Sequence, residues 1–281
     1  MHTNEKGKYL TEFLPYIKEF AGNTFVVKYG GSAMINDELK MAFSKDMTLL
    51  KFVGINPIIV HGGGSEIGGT LKQLDITTKF HKGLRITDEK TMEVVVMVLA
   101  GKVNKEIVLN INHYGGKAVG LSGVDGNIIK ARKMLLEDVD LGLVGDVEKI
   151  NPDILINLSK NGYIPVVSPI GFDDSGNRYN INADTVASSI AIALQAEKLI
   201  YVSDVDGIMD KNNKLISEIK IKDIDQMIDS VLTGGMIPKV LSARQAIENG
   251  VKKVHIINGK KQHTLLEEIF TDAGIGTQIV R

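Results

Sequence analysis

The chain has no cysteine and no tryptophan, and only six prolines in 281 residues. Without thiols, disulfides and thiolate metal sites are excluded, and the six histidines fall at no metal-ligand spacing. Charge of one sign is missing too. With 33 Lys and Arg against 34 Asp and Glu, the formal net charge is −1, which offers no basic surface to nucleic acid or to an anionic membrane. The longest apolar stretch, Val94 to Ala100, cannot span a bilayer, and Met1 to Lys8 lack the apolar core of a signal peptide. The expectation is a cytoplasmic protein whose partners are small molecules and other subunits.

Glycine, by contrast, is placed with purpose. Two short apolar runs, Phe25 to Val27 and Ile58 to Val60, each stop at a glycine cluster, Lys28 Tyr29 Gly30 Gly31 and His61 Gly62 Gly63 Gly64. A buried strand that ends in glycines and opens a helix presents backbone N–H groups with no Cβ to block a phosphate. Two such turns fit one anion held from two sides. The usual nucleotide motifs do not match: Gly69 stands where a P-loop needs lysine, and Ile67 where a dinucleotide fingerprint needs its last glycine.

β-branched runs recur at 25–27, 58–60, 118–121, 128–131, 164–167, 199–202 and 254–257, several of them separated by helical-period segments. This rhythm predicts an α/β fold, an open and mainly parallel sheet sandwiched between helices. Segments 115–126 and 173–177 read as hairpin-like insertions. No internal repeat or linker divides the chain, so a single domain is expected, with a soft boundary between lobes 23–175 and 176–281. Ahead of it, residues 1–22 place Tyr9, Leu10, Phe13, Leu14, Ile17 and Phe20 at helical spacing, with Pro15 as a candidate kink. That face packs either on its own domain or on another subunit.

Several polar residues stand out against this frame. Asn180, Asn182 and Asp184 fall on one face if extended, and Asp184 also stands where the following helix would take its N-cap. Lys239 follows Pro238 near a helix start, where a cation is disfavoured unless an anion answers it. Arg85 lies in a polar turn and suits a carboxylate, a surface ion pair being the plain alternative. Asp204, Asp206 and Gly207 follow a strand at the edge where open α/β sheets bind ligands. This set contains lysines, an organising carboxylate and glycine turns but no evident general base. Phosphoryl transfer to an acceptor carboxylate, already ionised at neutral pH, requires none.

In chain order, 28–32, 61–64, 83–88, 179–184, 203–207 and 234–239 resemble the motifs of the amino acid kinase family. The resemblance implies transfer of the γ-phosphate of ATP, carried with Mg2+, to the side-chain carboxylate of N-acetyl-L-glutamate in arginine synthesis. By position it implies that Lys28 and Lys239 stabilise the transferring phosphoryl and that Asp184 orients them. Gly63, Gly64, Arg85 and Asn180 would hold the amino acid, Gly30 and Gly31 the phosphates, and Asp204, Asp206 and Gly207 would border the nucleotide, with no metal site in the protein. The extension and segment 263–277 are similar to those of hexameric, arginine-inhibited members. From these follow an expected homo-oligomer of dimers and L-arginine as inhibitor at Glu268, Gly274 and Gly276.

Overall fold

The apolar runs become the strands of one large sheet in the computed structural model, which describes residues 11–34, 36–228, 231–232, 235–271 and 274–281. The first half of the chain supplies α1 (Leu14–Phe20), β1 (Thr24–Tyr29), α2 (Asp37–Phe52), β2 (Asn56–His61), α3 (Gly64–Gln73), β3 (Phe80–His81), β4 (Leu84–Arg85), α4 (Glu89–Val96), α5 (Asn104–His113), β5 (Ala118–Ser122), β6 (Ile129–Lys133) and β7 (Gly145–Ile150). The second half supplies α6 (Asp153–Lys160), β8 (Ile164–Ser168), β9 (Ile170–Phe172), β10 (Arg178–Asn180), α7 (Ala183–Ala193), β11 (Lys198–Ser203), β12 (Glu218–Lys220), α8 (Ile224–Ile228), α9 (Met236–Glu248), β13 (Lys253–Asn258), α10 (Thr264–Phe270) and β14 (Thr277–Val280).

The eight-stranded sheet runs β12-β14-β13-β11-β1-β2-β8-β5 and is parallel except where β14 lies antiparallel to β13. β1 and β2 are adjacent interior strands, and both are nearly wholly buried, as parallel strands covered on two faces must be. Alternation along β1 sends Phe25, Val27 and Tyr29 into one apolar core with α2, α4, α5 and α10, and Val26 into a second core with α6, α7 and α9. Lys28 shares the second face and so reaches toward α7.

A smaller sheet, β10-β9-β6-β7, and the β3–β4 hairpin flank the carboxyl ends of β2 and β8. Two expectations are corrected here. Segment 115–126 is no hairpin: it contains β5, the edge strand of the large sheet, parallel to β8. The run at 128–131 belongs to the smaller sheet as β6, paired antiparallel with β7. The 173–177 turn is a hairpin, joining β9 to β10. Between α4 and α5 the helix widens into a π-turn, Met97–Val103, which places Leu99 beneath the second glycine turn.

Of the extension, residues 1–10, including Tyr9 and Leu10, lie outside the described residues. Pro15 sits in the first turn of α1, directly after the helical residues Thr11 and Glu12 break at Phe13. Phe13, Tyr16, Ile17 and Phe20 pack on the chain's own core, with the Phe13 and Phe270 rings 5.6 Å apart, while Leu14 stays exposed. Among the described residues, no helix is long and apolar enough to cross a membrane.

Candidate active site

Because β1 and β2 are parallel and in register from Thr24↔Asn56 to Tyr29↔His61, their glycine turns leave the same sheet edge side by side. The Gly62 N–H donates to the Tyr29 carbonyl at 2.8 Å. A Cβ on Gly30 would lie 3.2 Å from Lys28 Nζ and 3.5 Å from the Gly62 nitrogen, so the glycine admits close approach of both turns. Gly63 is required by a different neighbour: its Cβ would meet Leu99 Cδ2 at 2.6 Å. Gly64 opens α3, and no side chain caps this helix, whose first N–H groups are left for a ligand.

Asp184 stands opposite. Asn182, not Asp184, is the N-cap of α7, accepting from the Asp184 and Thr185 amides at 2.8 and 3.4 Å. Capping is thereby delegated to the asparagine, and the aspartate side chain is free to receive two lysines. Lys239 Nζ donates to Oδ2 at 2.6 Å, and Lys28 Nζ lies 3.1 Å from Oδ1. That second contact is the longer of the two. Burial pushes the Asp184 carboxyl up, but the pull of Lys28 and then Lys239 outweighs it and leaves the group below its ordinary value. Burial lowers the Lys239 ammonium, while Asp184 holds it up and Lys28 pushes it further down. The face of Tyr201 lies 4.8 Å beneath Lys239 Nζ.

A cleft of about 240 Å³ opens in front of this triad, lined by Lys28, Gly62 to Gly64, Arg85, Asn180 and Asp184 together with the apolar walls of Ile67, Phe80, Leu84, Leu99 and Val144. Arg85 is no surface ion pair. It is 8 % exposed on β4, donates to Thr78 Oγ1 at 2.7 Å and to the Gly64 carbonyl at 2.9 Å, and stacks 4.6 Å from the Phe80 ring. No carboxylate pairs with it among the described residues, and an unanswered guanidinium in a cleft suits an anionic substrate. Asn180 Nδ2 donates to Thr87 Oγ1 at 3.3 Å and keeps its carbonyl oxygen for a ligand. His61 is buried beside the second turn, and burial lowers it to about 4, so it is neutral and held by Asn104 rather than poised as a base.

The remaining residues singled out from the sequence lie elsewhere. Gly31 is exposed next to Gly30. Asp204, Asp206 and Gly207 follow β11 at the same sheet edge but do not line the cleft. Asp206 is committed to Asn258 and Lys261, each at 2.8 Å, and Gly207 packs on Leu215 and Thr277. Among the described residues no cluster of His, Asp and Glu fits a metal ion.

Glu268, Gly274 and Gly276 line a separate cavity of about 440 Å³ at the opposite edge of the sheet, under α1. The Glu268 carboxylate is already engaged there by His255 Nδ1 at 2.6 Å and by the Ile275 and Gly276 amides, so a guanidinium would have to share it. Sequence reasoning missed Lys198 in this cavity. It is 5 % exposed, has no carboxylate within ion-pair distance among the described residues, and rests 4.6 Å from the Phe20 ring. Burial, with Lys253 adding to it, lowers its ammonium to about 8. The only signal was a lysine at the head of a buried strand.

The model of the amino acid kinase family matches residues 23–258, and the chain belongs to that family. It is similar to proteins named acetylglutamate kinase: 55% identical over 281 residues to that of Desulforamulus reducens and 54% over 287 residues to that of Carboxydothermus hydrogenoformans, in both cases covering 98% of each chain. Among solved structures it is similar to N-acetylglutamate synthase from Neisseria gonorrhoeae complexed with coenzyme A and N-acetyl-glutamate, with a TM-score of 0.88 at 27% identity over 98% of this chain. The chain spans 63% of that synthase's length. A second structure of the synthase, complexed with coenzyme A and L-arginine, aligns with a TM-score of 0.84 at 26% identity, covering 97% of this chain and 65% of that one.

Proposed function

We propose that this protein transfers the γ-phosphate of ATP to the side-chain carboxylate of N-acetyl-L-glutamate, a step in arginine synthesis. The observation that carries the reading is the Lys28–Asp184–Lys239 triad at the glycine turns, facing across one cleft an Arg85 that no carboxylate among the described residues answers. An acceptor carboxylate oxygen attacks Pγ, the bond from Pγ to the β,γ-bridging oxygen breaks, and ADP and an acyl phosphate leave. No proton moves, in keeping with a site whose one histidine, His61, is neutral and occupied.

In this reading Arg85 takes the α-carboxylate, Asn180 the acetamido group, and the amides at Gly63 and Gly64 the acceptor carboxylate. Gly30 and Gly31 lie against the phosphates, and Lys28 and Lys239 neutralise charge as it spreads over the transferring group. Asp184 keeps the two ammonium groups apart and aimed. Asp204, Asp206 and Gly207 border the nucleotide, so residues 176–281 form its lobe and 23–175 that of the amino acid. Mg2+ arrives on the phosphates of ATP.

The second cavity supports feedback control by L-arginine. Lys198 offers the inhibitor's carboxylate a cation with no carboxylate at ion-pair distance among the described residues, while Glu19, Glu218 and Glu268 offer negative charge to its cationic groups, with Gly274 and Gly276 at the wall. Helix α1 roofs this cavity and carries exposed Leu14, which fits residues 1–22 linking dimers into a hexamer.

The test is ADP release with N-acetyl-L-glutamate and with free L-glutamate as acceptors, each with and without L-arginine. Turnover with the acetylated substrate alone, lost on adding arginine, supports the reading. Turnover that prefers free glutamate overturns the acceptor, and indifference to saturating arginine overturns the control.

A further inference from the structure

Tyr29 lies between Lys28 and Gly30, yet its side chain points away from the cleft. It is buried, and its ring stacks on Phe43 of α2 with centroids 3.7 Å apart and planes within 5°. Its hydroxyl donates to the Ala33 carbonyl at 2.9 Å, closing the short 3-10 turn Gly31–Met34 that follows the first glycine cluster. Its own carbonyl accepts the Gly62 N–H of the second cluster. One residue thus ties down both glycine turns from behind, the first through its side chain and the second through its backbone. Burial, and then the charges of Glu106 and Glu66, hold the hydroxyl well above its ordinary range, so it remains a donor at every working pH.

The need for such a tie follows from the turn itself. Gly31 has a φ of +65° and no neighbour that a Cβ would touch, so its own packing does not fix it. On the far side Ala33 is wedged against Gly259, whose Cβ would lie 2.6 Å from Ala33 Cβ. That wall and the Tyr29 hydroxyl hold the turn from two sides. A phosphate cradle is useful only when its N–H groups are already aimed, since misaimed donors must be reorganised during the reaction.

We propose that Tyr29 is a positioning residue for the phosphoryl group: through the Ala33 carbonyl its hydroxyl sets the turn that receives the terminal phosphates of ATP. This rests on the kinase reading above and adds to it a residue that touches neither substrate.

The test compares Tyr29→Phe with the native protein in direct binding of AMP-PNP and of AMP, and in turnover with N-acetyl-L-glutamate. Losing the hydroxyl alone should weaken AMP-PNP about 10-fold and lower kcat by a similar factor, with AMP affinity and the KM for N-acetyl-L-glutamate near native. Phe43→Leu is the structural control. It removes the stacked ring and keeps the hydroxyl, so it should lower Tm while preserving the ratio of AMP-PNP to AMP affinity. Native AMP-PNP affinity in Tyr29→Phe, or equal weakening of both nucleotides, overturns the proposal. A native protein that binds AMP-PNP yet transfers nothing to N-acetyl-L-glutamate refutes the reading of function while leaving the binding comparison decisive. Failure of the native protein to bind AMP-PNP overturns both.

Discussion

Lys239 Nζ lies 2.6 Å from Asp184 Oδ2, although the two side chains reach the site from different helices 55 residues apart. Lys28 approaches the other carboxylate oxygen from the end of β1. Three largely buried charges therefore share one centre, with a net of one positive charge facing the cleft. Such an arrangement is costly to desolvate and is worth keeping where an anion must be stabilised only briefly.

Replacing Asp184 with Asn should keep the volume and remove the charge that holds the lysines apart. Turnover is expected to fall about 100-fold or more as both ammonium groups lose their aim. Stability should fall as well, by about 3–5 kcal/mol, because two cations remain buried without an anion. Steady-state kinetics and thermal melts of the purified variant check both, and native turnover in a folded Asp184→Asn protein contradicts the role.

Gly63→Ala should disable the cleft by a purely steric route. The added Cβ would meet Leu99 Cδ2 at 2.6 Å, so either the buried Leu99 side chain has to rotate or the second glycine turn has to move. A loss in kcat/KM of about 100-fold is expected. The double variant Gly63→Ala with Leu99→Ala removes the clashing atom and should recover part of it. No recovery would place the cost of Gly63→Ala in the backbone rather than at Leu99.

The large sheet could be read from residue order because its strands are buried on both faces and so appear as unbroken β-branched runs. β12 and β14 could not, being short strands, β12 at the edge and β14 beside it, whose polar residues hide the pattern. β5 was read as a strand at 118–121, but the glycines around it suggested a hairpin over 115–126; Gly120 is there because any Cβ would run into the buried Asn104. At the site, Lys28, Asp184 and Lys239 announce themselves by chemistry and position. The capping role was given to the wrong residue, since Asn182 and Asp184 are both good caps and only the backbone shows which one precedes the first turn. Arg85 looked exposed because its burial depends on Phe80 and Thr78 folding over it. Glu268 looked available because the groups that occupy its carboxylate come from β13, which supplies His255, and from the loop before β14, which supplies the Ile275 and Gly276 amides.

Asp46 offers a pH-dependent prediction away from the active site. It is buried on α2 and accepts from His263 Nδ1 at 2.6 Å, and burial raises it to about 6 in spite of that partner. A carboxyl raised on folding keeps its proton while the unfolded chain loses it, so its contribution to stability declines as pH rises from about 4 to about 6 and stays unfavourable above that. Asp46→Asn keeps the acceptor without the charge. Its Tm should exceed the native value at about pH 8 and match it at about pH 4. A gain confined to the acid side would contradict the sign.

If L-arginine occupies the second cavity as proposed, Lys198 sets the pH range of its inhibition. Its ammonium, lowered to about 8, is charged below that pH and neutral above, so the proposed partner of the arginine carboxylate disappears as the medium becomes alkaline. Arginine should inhibit well at about pH 7 and poorly at about pH 9, and Lys198→Met should be insensitive at both while retaining turnover. Equal inhibition at the two pH values by the native enzyme would exclude Lys198 from the site.

The central claim concerns the product, an acyl phosphate made without any proton transfer. Purified protein incubated with Mg-ATP and N-acetyl-L-glutamate in the presence of hydroxylamine should yield one hydroxamate per ADP released, and none when free L-glutamate replaces the acetylated acceptor. ADP release without hydroxamate, or hydroxamate formed equally from free glutamate, would contradict it.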